Sequence, residues 1–302
     1  MAIRSIKAHT ITWYYLTDFG SEELQFLKKN FKFHPLDLKD CAGEPQRSKV
    51  DVYKNYLFAV MQFPYLDGRR VKINQLYFFV GKDYIVSIAL ARAKHHNNFF
   101  YKVVHNQKLR EEAFAHDSGY LLYRILDVLL RNSWAIHRQL DGEVLRIETE
   151  IDEGHGKKSV FDIAAMRRMI LQLKAIIDPQ RLVTNTLSRI DTVFLDKEIG
   201  VYFDDLDDFV DKMWFSLESY KDRVLSLQEI NESLVSYRTN QIMKVLTGAS
   251  VGLLPLTLLS GIYGMNIDLP FSTDPHLVWS LFLAVLLVIV GVFVYLRKKD
   301  WI

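Results

Sequence analysis

Residues 245–266 read VLTGASVGLLPLTLLSGIYGMN. No charged residue occurs from Val245 to Tyr263, and the stretch is close to the ~20 residues a helix needs to cross a ~30 Å hydrocarbon layer. A second uncharged stretch, Leu277–Leu296, follows as LVWSLFLAVLLVIVGVFVYL. A buried helix of a globular protein would carry a polar stripe, and this one has almost none. The two stretches therefore read as membrane spans. Arg238 and Lys244 precede the first; Arg297, Lys298 and Lys299 follow the second. The connection NIDLPFSTDPH contains Asp268 and Asp274 but no lysine or arginine. The positive-inside rule then predicts a multi-pass protein of the cell (inner) membrane, with both termini cytoplasmic and the connection outside.

The remaining composition narrows the function. The chain has 302 residues, 25% charged residues and a net charge of +2, so bulk charge gives no argument for a nucleic-acid partner. Cys41 is the single cysteine, which excludes an intramolecular disulfide. The N-terminal MAIRSIKAHTITWYYL has no uninterrupted apolar core of signal-peptide length. The sequence contains no nucleotide-binding loop and no base–nucleophile pair in recognisable context. The expectation is a protein that is not an enzyme and takes no organic cofactor.

Upstream of the spans, residues 1–100 read as mixed α and β. HTITWYYL, YKNYLFAVMQFP, KINQLYFFVG and YIVSIAL are rich in β-branched and aromatic residues and predict strands. DFGSEELQFLKKNF predicts a helix with an Asp or Ser start signal. From Gly119 the apolar period changes to three and four, predicting one helix to about Ile151. A second is expected near 158–177, ending around Pro179. KHHNN at 94–98 reads as an exposed loop, since no third ligand converges on His95 and His96. Cys41 reads as a packed thiol, His34 as structural, and Trp301 as an interfacial anchor.

From Val201 to Thr247 there is no glycine or proline. Leu206, Val210, Met213, Leu217, Tyr220, Val224, Leu227, Ile230, Leu234 and Tyr237 recur at spacings of three and four. They predict a long helix with one apolar seam, continuous with the first span; the alternative is a hairpin with a hidden break. Such a seam calls for partners, hence oligomerisation. Within the first span, Leu246, Ser250, Leu254, Thr257 and Gly261 share one stripe. A mixed small, hydroxyl and apolar stripe suits a water-filled path with hydrophobic constrictions. It suits close helix packing equally well, and periodicity leaves the two open.

Gly264-Met265-Asn266 after an apolar helix, then a short loop and a second span ending in basic residues, resembles the CorA family of divalent-cation channels. The preceding TNQIMKVLTGASVGLLPLTLLSGIY matches that family's first transmembrane helix over nearly its whole length. HPLDLKD with QRSKVDVYKNYLF, and YFDDLDDFVD, resemble family segments in the right order, so the likeness runs from about residue 10 to the C-terminus. The resemblance implies a funnel-shaped homopentamer. Each protomer would have an α+β cytosolic domain and a long stalk helix continuing into the first of two transmembrane helices. The expected divisions are a cytosolic α/β domain with a helical hairpin at 1–200, a stalk at 201–244 and a pore-lining helix at 245–263. An outer loop at 264–276, a lipid-facing helix at 277–296 and a basic tail at 297–302 complete the chain.

The resemblance also assigns roles. Gly264, Met265 and Asn266 would form the selectivity filter, with Asn266 as an amide ring at the outer mouth. Mg²⁺ sheds water reluctantly, and neutral amides hydrogen-bond that water without stripping it. Asn240, Leu246, Leu254 and Thr257 would line the path, the leucines closing it by dewetting. Leu254 stands where many members have methionine. Asp40 and Asp205, with Asp204 beside the latter, would bind regulatory Mg²⁺ between subunits, and Asp268 or Asp274 would attract cations to the mouth. The expected activity is potential-driven Mg²⁺ influx. The alternatives are a Zn²⁺, Co²⁺ or Ni²⁺ transporter of the same superfamily, and a non-conducting membrane scaffold. The spans offer oxygen ligands without His, Cys or Glu, which favours a hard, hydrated ion.

Overall fold

The computed structural model describes residues 3–17, 19–89, 93–153, 156–192, 194–196, 198–266 and 274–299. The chain divides into two units, 1–227 and 228–302.

The first unit is built on a six-stranded sheet of order β1-β2-β6-β5-β4-β3. Its strands are β1 (Ile3–Ala8), β2 (Ile11–Thr17), β3 (Lys49–Val52), β4 (Tyr56–Asp67), β5 (Arg70–Gly81) and β6 (Tyr84–Ala89). All neighbours are antiparallel except β2 and β6. The Trp13 indole of β2 donates to Ser87 Oγ of β6 at 2.8 Å across that parallel pair. The central strands carry continuous apolar runs, residues 56–61 in β4 and 76–80 in β5, because both faces are covered there. Tyr56, Phe58, Val60, Tyr77 and Phe79 pack with Leu27, Phe33, Leu38 and Cys41 of the segment carrying α1 (Ser21–Asn30) and α2 (Pro35–Ala42). The alternate positions Leu57, Ala59, Leu76 and Phe78 are equally buried, as the two-residue period of a strand requires.

The opposite face meets α3 (Lys94–His105) and α5 (Ser118–Ser133), with α4 (Gln107–Ala113) between them in sequence. Trp13 lies edge-on to Phe100 of α3 at 5.0 Å. α6 (Ala135–Asp152) and α7 (Gly156–Ser188) form an antiparallel hairpin, and α7 also lies against β3 and β4.

Three expectations change here. The helix predicted over 119–151 is two helices, parted at Trp134, whose ring stacks on His137 at 4.6 Å. α7 runs through Pro179 to Ser188 instead of stopping there. A proline inside a helix costs roughly 3 kcal/mol. Leu173, Ile176, Ile177, Val183 and Leu187 are buried on both sides of it and offset that cost. KHHNN is not an exposed loop: it opens α3, and His96 is fully buried while His95 is exposed. His96, Phe99, Phe100 and Val103 form the buried face of that helix.

α8 (Ile199–Tyr263) is one helix of 65 residues with Pro255 inside it. In its first unit portion the apolar seam finds partners within the chain. Leu206, Val210, Met213, Leu217, Val224 and Leu227 are all buried. The flanks of that seam are pinned to the neighbouring helices. Arg181 meets Asp211 at 2.6 Å, Tyr220 donates to the His137 carbonyl at 3.2 Å, and Lys174 pairs with Glu218. Beyond residue 228 the same period is open: Ile230 and Tyr237 are 48% and 62% exposed. After the connection comes α9 (Pro275–Lys298), long and apolar enough to cross a membrane, as is the last part of α8.

Candidate functional site

The membrane part of α8 presents two different faces. Gly248, Gly252, Leu256, Leu259 and Tyr263 are the buried or half-buried positions of the stretch. At about 100° per residue they fall within ~40° of Gly252. They face α9: a Cβ at Gly252 would stand 3.4 Å from Ile289 Cγ2 and 3.6 Å from Phe293 Cε2, and the Tyr263 and Phe282 rings are 6.4 Å apart. The small residues on this side let two apolar helices approach closely.

Leu246, Ser250, Leu254, Thr257 and Gly261 lie roughly 120–200° round from Gly252, on the opposite side. Leu246 and Leu254 are 59% and 64% exposed, and beyond its chain neighbours and the local helix backbone no described atom is within 4 Å of a Cβ built at Gly261. The mixed stripe is therefore not the face that packs on α9. Close packing explains Gly248 and Gly252, and the mixed stripe is exposed among the described residues. The hydroxyls on and beside the stripe are tied back to the helix. Thr257 Oγ1 donates to the Leu253 carbonyl at 3.0 Å, and Ser260 Oγ to that of Thr257 at 2.9 Å. Each hydroxyl oxygen keeps lone pairs for an outer ligand. Asn240 lies on an exposed turn of the same helix.

The helix ends at the Gly-Met-Asn segment. Gly264 N–H donates to the Ser260 carbonyl at 2.9 Å, and Met265 N–H to that of Ile262 at 3.2 Å. A Cβ at Gly264 would stand 3.0 Å from the Ser260 carbonyl oxygen, so the close approach that needs glycine is to the helix's own last turn. Met265 and Asn266 are exposed. Asp268 lies outside the described residues, as does Trp301. Asp274 is the N-cap of α9, accepting from His276 N–H at 3.0 Å.

The acids singled out in the first unit sit on two elements. Asp40 is in the last turn of α2, a helix begun by His34, whose Nδ1 accepts from Leu36 N–H at 3.3 Å, with Pro35 in the first turn. Asp37, nearly fully buried, anchors α2 to the sheet by accepting from the Tyr53 and Tyr56 hydroxyls at 2.9 and 2.8 Å. Burial first, then Asp37, pushes the Tyr53 phenol up to about 12. Burial and the neighbouring Asp37 and Asp40 carboxylates raise the Cys41 thiol far above its ordinary range, so it stays a packed thiol. Asp204 and Asp205 are exposed near the start of α8, and Asp207 accepts from Thr184 Oγ1 at 2.5 Å and Asn185 Nδ2 at 3.0 Å.

Sequence reasoning did not single out the basic partners. Lys49 of β3 meets Asp40 at 2.8 Å and Asp51 at 2.9 Å; Arg131 of α5 meets Asp205 at 3.1 Å. These pairs join residues far apart in the chain or on an unforeseen edge strand, where no period marks them. Among the described residues, no group of three or more His, Cys, Asp or Glu side chains converges on a metal position within one chain.

Comparison with known proteins gives the following. The family described as CorA-like Mg2+ transporter protein matches residues 8–298. The cobalt/magnesium transport protein CorA of Thermotoga maritima is 29% identical over 301 residues, covering 97% of this chain and 84% of that protein. A putative metal ion transporter of Bacillus subtilis, YfjQ, is 28% identical over 311 residues, covering 99% and 93%. The complete structure of the CorA magnesium transporter from Methanocaldococcus jannaschii superposes with a TM-score of 0.84 at 23% identity, covering 99% of this chain and 94% of that one.

Proposed function

The chain belongs to the CorA-like Mg2+ transporter family, and from that premise we propose that it is a magnesium transporter whose path is the exposed stripe of α8. It is a membrane transporter and not an enzyme. The observation that carries the path is the opposition of faces: Gly252 packs on α9 while Leu246, Leu254, Thr257 and Gly261 look away from it. Two helices cannot enclose a channel, so several copies surround an axis, five by the resemblance, with α8 inside and α9 toward lipid.

In this reading Asn266, the last described residue of the Gly-Met-Asn segment, forms a ring of amides that hydrogen-bond hydrated Mg²⁺. Thr257 and Asn240 form polar rings below it, and Leu254 and Leu246 form apolar constrictions between them. Asp274 adds negative charge at the mouth while capping α9. The path is flanked by a cytosolic domain and stalk at 1–244 and a basic tail at 297–302, both termini lying inside. Asp40 on one protomer and Asp205, beside Asp204, on the next supply carboxylate oxygens that suit a hard regulatory cation. Bridging by Mg²⁺ favours the closed arrangement, and its loss favours the open one.

No chemical energy is needed. A potential of 100 mV is worth ~2.3 kcal/mol per charge, or roughly 4.6 for a dication moving inward. Proteoliposomes loaded with a Mg²⁺-sensitive dye test the reading, with Zn²⁺ and Co²⁺ in parallel. Uptake of Mg²⁺ that rises with an inside-negative potential is expected. Zn²⁺ uptake without Mg²⁺ uptake would move the chain to a zinc-transporting branch. No flux of any divalent cation would leave the scaffold alternative.

A further inference from the structure

Asp40 stands in the last turn of α2, where unpaired carbonyls at a helix C-terminus add negative potential. Asp51 is close by on β3. One ammonium bridges both carboxylates: Lys49 Nζ is 2.8 Å from Asp40 Oδ2 and 2.9 Å from Asp51 Oδ2. The arrangement is held from both sides. Lys49 is paired with Val60 in the β3–β4 ladder, and its Nζ lies 5.4 Å from the centre of the Phe58 ring. The Tyr77 hydroxyl donates to the Asp40 carbonyl at 3.0 Å and fixes the helix end. Burial opposes the charge on Lys49, but its hydrogen bonds to Asp40 and Asp51 outweigh that and hold its pKa above the ordinary lysine range.

Asp205 repeats the pattern. Arg131 Nη2 is 3.1 Å from Asp205 Oδ2, and Arg131 is positioned by Asp127 and by the Phe209 ring, 5.1 Å away. Both carboxylates assigned above to cation sensing therefore already hold a cation that belongs to the chain.

We propose that Lys49 and Arg131 are built-in competitors of the regulatory Mg²⁺, occupying Asp40 and Asp205 when the metal is absent and so setting the Mg²⁺ concentration at which the channel closes. The inference rests on the sensor reading of Asp40 and Asp205. A divalent ion bridging two protomers must first displace the ammonium or guanidinium from each carboxylate. The displaced pairs are partly exposed, and pairs of that kind correspond to roughly a two- to fivefold change in an equilibrium constant. In the metal-free state the same groups prevent bare carboxylates from repelling one another across the interface. Loss of Mg²⁺ then loosens the assembly without tearing it apart.

The test uses the full chain in giant proteoliposome patches, with Mg²⁺ titrated on the side of the cytosolic domain. Lys49→Met keeps the apolar stem on Phe58 and removes the charge. It should lower the half-inhibitory Mg²⁺ about two- to fivefold. Lys49→Arg should restore the wild-type value, which separates lost charge from lost folding. Asp40→Asn should weaken inhibition by Mg²⁺. An unchanged threshold in a folded Lys49→Met, with inhibition weakened in Asp40→Asn, overturns the competitor role and leaves the sensor standing. Unchanged inhibition in Asp40→Asn overturns both.

Discussion

His96 shows what a single residue can hide. It was read as part of a polar loop, yet its ring is fully buried among Trp13, Tyr15 and Phe78, 6.1, 5.0 and 6.3 Å away. Burial alone pushes its pKa down to about 3, and His137, also mainly through burial, to about 4. In the unfolded chain both titrate near 6.5. Between those limits the unfolded state binds more protons, so stability falls as pH drops below ~6.5, by at most about 1.4 kcal/mol per pH unit for each histidine. Full stability is present above that value. Thermal unfolding of the full chain in detergent should show a lower midpoint at pH 5 than at pH 7. His96→Phe, an apolar ring for an aromatic pocket, should shrink the difference. Equal midpoints in the wild type, or an undiminished difference in the variant, would contradict this account. The signal for His96 was present: His96, Phe99, Phe100 and Val103 are spaced as one helix face. It is masked because histidine is a polar residue type and the segment is rich in Asn and His, weak helix formers.

At the scale of elements, the predicted strands in HTITWYYL, YKNYLFAVMQFP, KINQLYFFVG and YIVSIAL are the buried core of the sheet, where apolar runs are unambiguous. β1 and β3 leave little trace in the sequence because they are short edge strands with charged residues in their few positions. Pro179 misled because tertiary burial outweighed a local rule. The seam of α8 was read correctly as apolar, but its first part is filled by this chain's own helices and only its later part is open. The two faces of the membrane part give a paired prediction. Gly252→Leu drives a side chain into Ile289 and Phe293 and should destabilise the packing by roughly 1–3 kcal/mol. A Cβ at Gly261 meets no described residue outside its own turn of helix, so Gly261→Leu should leave the thermal midpoint within a degree or two, while cutting Mg²⁺ uptake by about tenfold or more through steric closure. Midpoints and uptake measured on both variants decide it. A stable Gly252→Leu with a collapsed Gly261→Leu would reverse the assignment of faces.

The whole molecule was legible to different depths. Two charge-free stretches, basic flanks and a Gly-Met-Asn segment mark the family in the sequence itself, because membrane helices are coded by long contiguous runs. The ion pairs at Asp40 and Asp205 were not legible, because they form between elements whose neighbours only the folded sheet defines. The central claim remains that neutral amides at the end of α8 admit hydrated Mg²⁺. Its most direct measurement is Mg²⁺ uptake by proteoliposomes carrying Asn266→Ala beside the wild type, at matched protein content and a fixed inside-negative potential. Each lost hydrogen bond is worth ~1 kcal/mol, and a ring loses several at once, so uptake should fall by more than about tenfold with the thermal midpoint unchanged. Uptake indifferent to the substitution would contradict the amide ring.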